Sequence, residues 1–168
     1  IVAAFAARRR EARVRQRFEQ HLAPEVVAAL AAAPDAMRLE GHMREITALF
    51  TDLEGFTAMT ARAEPRELIR LLDAYFDGIC AILVAEGGMI DKIVGDAVHA
   101  IFNAPLDLAS HPAKALAAAG AIARFGEAFR REPGAARLGF GRTRIGFETG
   151  QAIVGDVVRL VGSDATVG

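Results

Sequence analysis

The order of strand-like and helical segments predicts an α+β fold, a ferredoxin-like βαββαβ palm with an N-terminal helical linker. Three observations carry this. Residues 45–52 alternate as a strand, and residues 65–86 repeat apolar residues at strong helical spacing. Two short apolar runs, 89–94 and 97–102, are separated only by Gly95-Asp96, the pattern of a hairpin. A second helix and a last strand then complete the order, which folds as an antiparallel sheet with helices on one face.

The chain divides at about residue 39. Residues 1–33 read as helix, rich in Ala, Arg, Glu and Gln, and the first part is too polar for a core. A partner helix, such as the same helix from a second copy, suits it. Ile1–Ala7 is apolar and is followed by Arg8, Arg9, Arg10, Arg13, Arg15 and Arg17. Two readings stand for this start. One is the cytoplasmic end of a truncated transmembrane helix, and the other is an alanine-rich solvated helix with a basic face. Pro24 starts a second helix carrying Val26, Val27 and Leu30, which Pro34-Asp35 ends.

Residues 40–168 form the second unit. Its first strand puts Ile46, Ala48 and Phe50 on one side, and Leu49 on the other side indicates that both faces are partly covered. Pro65 suits the first turn of the next helix and Gly87-Gly88 ends it, with Leu68, Leu71, Leu72, Tyr75, Phe76, Ile79, Ile82 and Leu83 recurring at helical spacing. Cys80 within it reads as a small core residue. After the hairpin, Ser110, His111 and Pro112 start a helix that runs to about Arg131, with Leu116, Ile122, Phe125 and Phe129 inward. His111 reads as a structural residue of the helix start, and His99 as a packed or sheet-face histidine. Residues 142–149 form the last strand, and Gly150 turns the chain into 151–155.

Composition narrows the function. A chain of 168 residues with 52% hydrophobic residues is one core-forming domain and not a disordered one. Twenty Lys and Arg against 21 Asp and Glu argue against a globally basic nucleic-acid binder. One cysteine cannot make an internal disulfide or a cysteine-rich metal site.

Two carboxylates stand out. Asp52 ends the first strand and Asp96 sits at the hairpin tip, and the palm topology lets these two ends converge. Close carboxylates repel unless a cation lies between them. Mg²⁺ takes one or two carboxylates plus phosphate oxygens, and paired metals stabilise both oxygens of an in-line displacement. Gly55 permits a tight turn after Asp52, and the N–H groups that follow can point toward phosphates. Lys92 stands on an otherwise apolar strand. It is a solvent-facing residue or a donor to a base; lysine offers donors only and suits an adenine ring nitrogen.

These residues lie in recognisable stretches. Arg44-Glu45-Ile46-Thr47-Ala48-Leu49-Phe50-Thr51-Asp52-Leu53-Glu54-Gly55-Phe56-Thr57 and Gly87-Gly88-Met89-Ile90-Asp91-Lys92-Ile93-Val94-Gly95-Asp96-Ala97 are two of them. Gly146-Phe147-Glu148-Thr149-Gly150 with Val154-Gly155 is the third. Residues 40–168 resemble the catalytic domain of class III nucleotidyl cyclases, the adenylate/guanylate cyclase family. The resemblance implies that Asp52, Asp96 and the Leu53 carbonyl bind two Mg²⁺ or Mn²⁺ ions. It implies that Gly55, Phe56 and Thr57 lie along the phosphates and that Lys92 selects adenine. The implied reaction is attack of the ribose 3′-OH of ATP on its α-phosphate, giving 3′,5′-cyclic AMP and pyrophosphate.

It further implies a homodimer that shares its sites between chains, with no nucleic-acid partner. Phe18–Val27 resembles the linker of bacterial members and implies an upstream sensor domain. With the arginine cluster, this places the domain in the cytoplasm, on the inner side of a membrane-anchored protein. The family's second base contact falls at Ala165, with Thr166 able to take the role after a register shift. The family's transition-state Asn and Arg would follow Gly168, which reads the domain as C-terminally incomplete. A non-catalytic dimerisation or nucleotide-binding module is the alternative. A diguanylate cyclase lacks support because Val94-Gly95-Asp96 stands where its glycine-rich acidic signature belongs.

Overall fold

The structure, a computed structural model, describes residues 42–154. Residues 1–39, expected to form a helical linker, lie outside the described residues, as do Gly155 and the segment with Asp164, Ala165 and Thr166. Along the chain run β1 (His42–Leu53), α1 (Phe56–Thr60), α2 (Pro65–Ala85), β2 (Met89–Val94) and β3 (Ala97–Phe102). Then come α3 (His111–Phe129), α4 (Pro133–Leu138) and β4 (Thr143–Val154). The sheet order is β2-β3-β1-β4 and every pairing is antiparallel. This is the palm that the element order predicts. Among the described residues no helix is long and apolar enough to cross a membrane.

Helices α2 and α3 cover one face of the sheet. Pro65 occupies the first turn of α2, and the Glu64 side chain accepts from the Glu67 N–H, closing its N-terminus. Leu49, Tyr75, Ile79, Leu83, Phe102 and Ile122 are fully buried between the layers. Cys80 belongs to this core, and burial, with Asp77 adding to it, pushes its thiol up to about 11. The small residues Ala115, Ala118 and Ala119 are buried on α3. Gly78 of α2 meets the Phe125 ring of α3 so closely that a Cβ there would lie 2.2 Å from it. Small residues therefore set how near the two helices come.

Four details differ from the sequence pattern. The inward side of β1 is Thr47, Leu49, Thr51 and Leu53, while Phe50 is 46% exposed. The two threonines tolerate burial because both hydroxyls are bonded. Thr47 Oγ1 lies 2.8 Å from His111 Nδ1 and 2.7 Å from Thr149 Oγ1, and Thr51 Oγ1 accepts the Val98 N–H at 3.1 Å. Gly150 does not turn the chain, because β4 stays paired with β1 through Val154. Leu116 points away from the core and is 60% exposed. The short helices α1 and α4 also form, the second started by Pro133 and ended by Gly139 in the left-handed region.

Candidate active site

The site starts from strand parity. With Thr51 and Leu53 inward, Asp52 stands on the face away from the helices, beside Phe50. Its cross-strand partner on β4 is Arg144, whose guanidinium forms an ion pair with the Asp52 carboxylate. Asp96 reaches the same place from the hairpin. Gly95 takes a left-handed conformation, φ 62°, which lets a two-residue turn join β2 to β3. The Leu53 backbone N–H donates to Asp96 Oδ2 at 3.0 Å. The strand end and the hairpin tip therefore converge, as the topology predicts.

A second contact fixes the chain after Leu53. The Glu54 N–H donates to the Arg142 carbonyl at 2.9 Å, and a Cβ at position 141 would lie 1.8 Å from the Glu54 carbonyl oxygen. Only glycine fits at Gly141. Gly55 then takes φ 71° and caps α1, whose first N–H groups follow from Phe56 and Thr57. The Phe56 side chain packs against the core, so its backbone is the part left for a ligand.

Beneath the site lies Tyr75, fully buried, with its hydroxyl 2.8 Å from Thr143 Oγ1. Burial pushes its pKa up to about 12. The Thr143 hydrogen bond opposes this, and the charges of Asp96 and Asp52 add to the rise. One buried group thus feels both carboxylates.

Lys92 reaches the open face through a β-bulge. Ile90 pairs with Ala100, whereas Lys92 pairs with His99, so Asp91 is the extra residue. In a regular strand Lys92, two positions after the inward Ile90, would point into the core. The bulge turns Lys92 outward and returns Ile93 to the inner side, opposite the buried Val98. The Lys92 ammonium lies 3.7 Å from Asp91 Oδ2. Beside it, His99 meets Phe50 edge to face, with ring centroids 4.7 Å apart. Lys92, His99 and Phe50 form one row across three strands, next to Asp52.

Chemically, this face offers two carboxylates, a cation on each flank and the N–H groups of a turn. Among the described residues no group of three or more His, Cys, Asp and Glu side chains clusters as a metal site. Two carboxylates with a backbone carbonyl are the hard oxygen donors that Mg²⁺ or Mn²⁺ accepts when phosphate oxygens complete the shell, so the residues fit such a metal. Sequence reasoning missed Arg144, because its place opposite Asp52 depends on a register that one strand does not reveal. His111 is the structural residue expected, 7% exposed at the start of α3.

Comparison with known proteins agrees with this geometry. Residues 40–162 match the model of the adenylate and guanylate cyclase catalytic domain. Adenylate cyclase 1 of Rhizobium meliloti is 38% identical over 114 residues, which is 68% of this chain and 17% of that protein. The chain thus spans about a sixth of that relative. The adenylyl cyclase CyaB from P. aeruginosa superposes with a TM-score of 0.62 at 26% identity, over 74% of this chain and 72% of that one. The guanylyl cyclase Cya2 superposes with a TM-score of 0.61 at 26% identity, over 74% and 70% of the two chains. The chain belongs to the adenylate and guanylate cyclase catalytic domain family.

Proposed function

We propose that this domain is an adenylate cyclase, converting ATP to 3′,5′-cyclic AMP and pyrophosphate. The observation that carries the reading is one face of one sheet. On it the Asp52 strand end meets the Asp96 hairpin tip, and the bulge at Asp91 turns Lys92 toward the same side. The relative named adenylate cyclase supports the choice of ATP.

Asp52, Asp96 and the Leu53 carbonyl would hold two Mg²⁺ or Mn²⁺ ions. When bound, these ions supply Lewis-acid activation of the ribose 3′-OH and neutralise charge on the phosphates. The chain's own residues do the rest. The backbone of Gly55, Phe56 and Thr57 receives the phosphates, and Arg144 balances the charge of Asp52. Lys92 donates to an adenine ring nitrogen, whereas at N1 guanine would meet it with a donor of its own. Thr166 is a candidate for the second base contact.

The protein works as a homodimer that shares its sites between two copies, and Phe50, 46% exposed, with Val94, 56% exposed, leaves apolar surface for the second copy. An upstream sensor acts through the linker, from a membrane-anchored protein with this domain on the cytoplasmic side.

The test is product analysis. Full-length protein is incubated with Mn²⁺ and either ATP or GTP, and the nucleotides are separated. Cyclic AMP formed faster than cyclic GMP supports the reading. Equal rates would remove the substrate assignment, and no cyclic product from either would remove the activity.

A further inference from the structure

Tyr75 lies at the centre of an aromatic cluster on the covered face. Its ring meets Phe76, Phe125, Phe129 and Phe140, and its side chain is fully buried. Phenylalanine would fill that place without a hydroxyl to desolvate, and a buried hydroxyl is costly unless it is bonded. The Tyr75 hydroxyl is bonded to Thr143 Oγ1, 2.8 Å away. Thr143 is seated at a further cost. Gly126 stands within α3, where glycine weakens a helix, and a Cβ there would collide with Thr143 Oγ1. A polar group among rings and a glycine within a helix thus serve one contact, between the helix layer and the first residue of β4.

That residue adjoins the site in both directions. Thr143 pairs with Leu53 across the sheet, and Arg144, next along β4, pairs with Asp52. Before it, the Arg142 carbonyl accepts the Glu54 N–H, and Gly141 lies against the Glu54 carbonyl. The Leu53 N–H in turn donates to Asp96. The depth of Thr143 in the core therefore sets where the Asp52–Arg144 pair and the Leu53–Glu54 turn stand over the sheet.

We propose that Tyr75 is a positioning residue, which through the Thr143 hydroxyl holds the start of β4 and so fixes Arg144 against Asp52 and the Leu53 backbone beside Asp96. It acts from the covered face and needs no contact with substrate. The proposal rests on the cyclase reading, in which these groups receive the metal ions.

The experiment uses full-length protein, unmutated and as Tyr75→Phe, Thr143→Val, the two combined, and Thr143→Ser. Phenylalanine and valine keep the shapes and remove one hydroxyl each, and serine keeps the hydroxyl. Ile79→Val, at a fully buried position of the same helix, is the purely structural control. Cyclic AMP formation is followed against Mn²⁺ at fixed ATP. Hydrogen exchange is followed by mass spectrometry on the protein without nucleotide, and melting temperatures confirm folding. Tyr75→Phe and Thr143→Val should each raise the half-saturating Mn²⁺ concentration about three- to tenfold, with the maximal rate preserved. The combined variant, in which neither hydroxyl is left unpaired, should raise it no further, and Thr143→Ser should keep it near the unmutated value. Exchange should quicken in the peptide carrying Leu53 and Glu54 and not in peptides of β2. Ile79→Val should lower the melting temperature without either effect. A Mn²⁺ requirement unchanged in Tyr75→Phe, or raised as much in Ile79→Val, would overturn the role of Tyr75. If the unmutated protein forms no cyclic nucleotide, the cyclase reading fails instead. Exchange at Leu53 and Glu54 then decides separately whether Tyr75 holds the turn.

Discussion

The two faces of the four-stranded sheet are built from the same strands under opposite rules. On the helix side, polar groups are few and each is bonded: Thr47 to His111 and Thr149, Thr51 to the Val98 N–H, and Tyr75 to Thr143. On the open side the row Lys92, His99 and Phe50 borders Asp52 and Arg144, and Phe50 and Val94 remain 46% and 56% exposed. A side chain on the first face is there to be satisfied within the fold. One on the second face is available to a ligand. Function and stability should therefore separate between them, apart from the seam that Tyr75 holds.

Removing a charge from the open face should have the largest effect. Asp96→Asn keeps an acceptor for the Leu53 N–H, and Asp52→Asn keeps the shape of its neighbour. Each should lower cyclic nucleotide formation at least about a hundredfold. The melting temperature should change by less than about 3 °C, since a surface change away from core packing costs little. Calorimetric scans beside activity assays check both halves. A large loss of stability in either variant would mean that the open face also holds the fold together.

The covered face should respond in the opposite way. Leu49→Ala empties a fully buried position at the centre of β1. It should cost about 2–5 kcal/mol in denaturant unfolding, while the folded fraction keeps its KM for ATP. Gly141→Ala is a smaller test at the seam between the faces. Its Cβ would meet the backbone Glu54 carbonyl, which cannot swing aside, and the cost should be about 1–3 kcal/mol. Because Glu54 follows Leu53 directly, this variant should also slow turnover, unlike Leu49→Ala.

Lys92→Glu belongs to the open face and should act on selectivity alone. An ATP KM raised about tenfold, with GTP use gained or unchanged, is the expected result in parallel steady-state assays. The gentlest probe is Tyr75, the one tyrosine of a chain without tryptophan. Its folded pKa is raised, so the native state holds its proton more tightly than the unfolded chain does. Stability from this group is complete below about pH 10 and is lost as pH rises toward about 12. Ultraviolet titration of phenolate absorbance, native against urea-unfolded, should show the two midpoints in that order.

Much of this was legible in the sequence. The element order, the two-residue hairpin and the convergence of Asp52 with Asp96 follow from periodicity and topology. The side of β1 that faces the core did not, because Thr47 and Thr51 look polar until their bonding partners are known. Those partners come from α3, β3 and β4, far away in sequence. Gly150 carried a turn signal that continued pairing with β1 overrode. The bulge left a trace that period-two reading passes over. Ile90 and Ile93, three apart, both face inward, which a regular strand forbids. Arg144 and His99 depend on cross-strand register, which only the assembled sheet defines.

In the proposed reading the open face binds a divalent metal through Asp52 and Asp96 and uses it in catalysis. The most direct test titrates Mn²⁺ into the full-length protein with ATP, following free Mn²⁺ by electron paramagnetic resonance and cyclic AMP in the same samples. Unmutated protein should bind the ion and form cyclic AMP. Asp52→Asn and Asp96→Asn, with unchanged melting temperatures, should lose both together. Either variant retaining most of its Mn²⁺ binding and turnover would mean that Asp52 and Asp96 do not hold a catalytic metal.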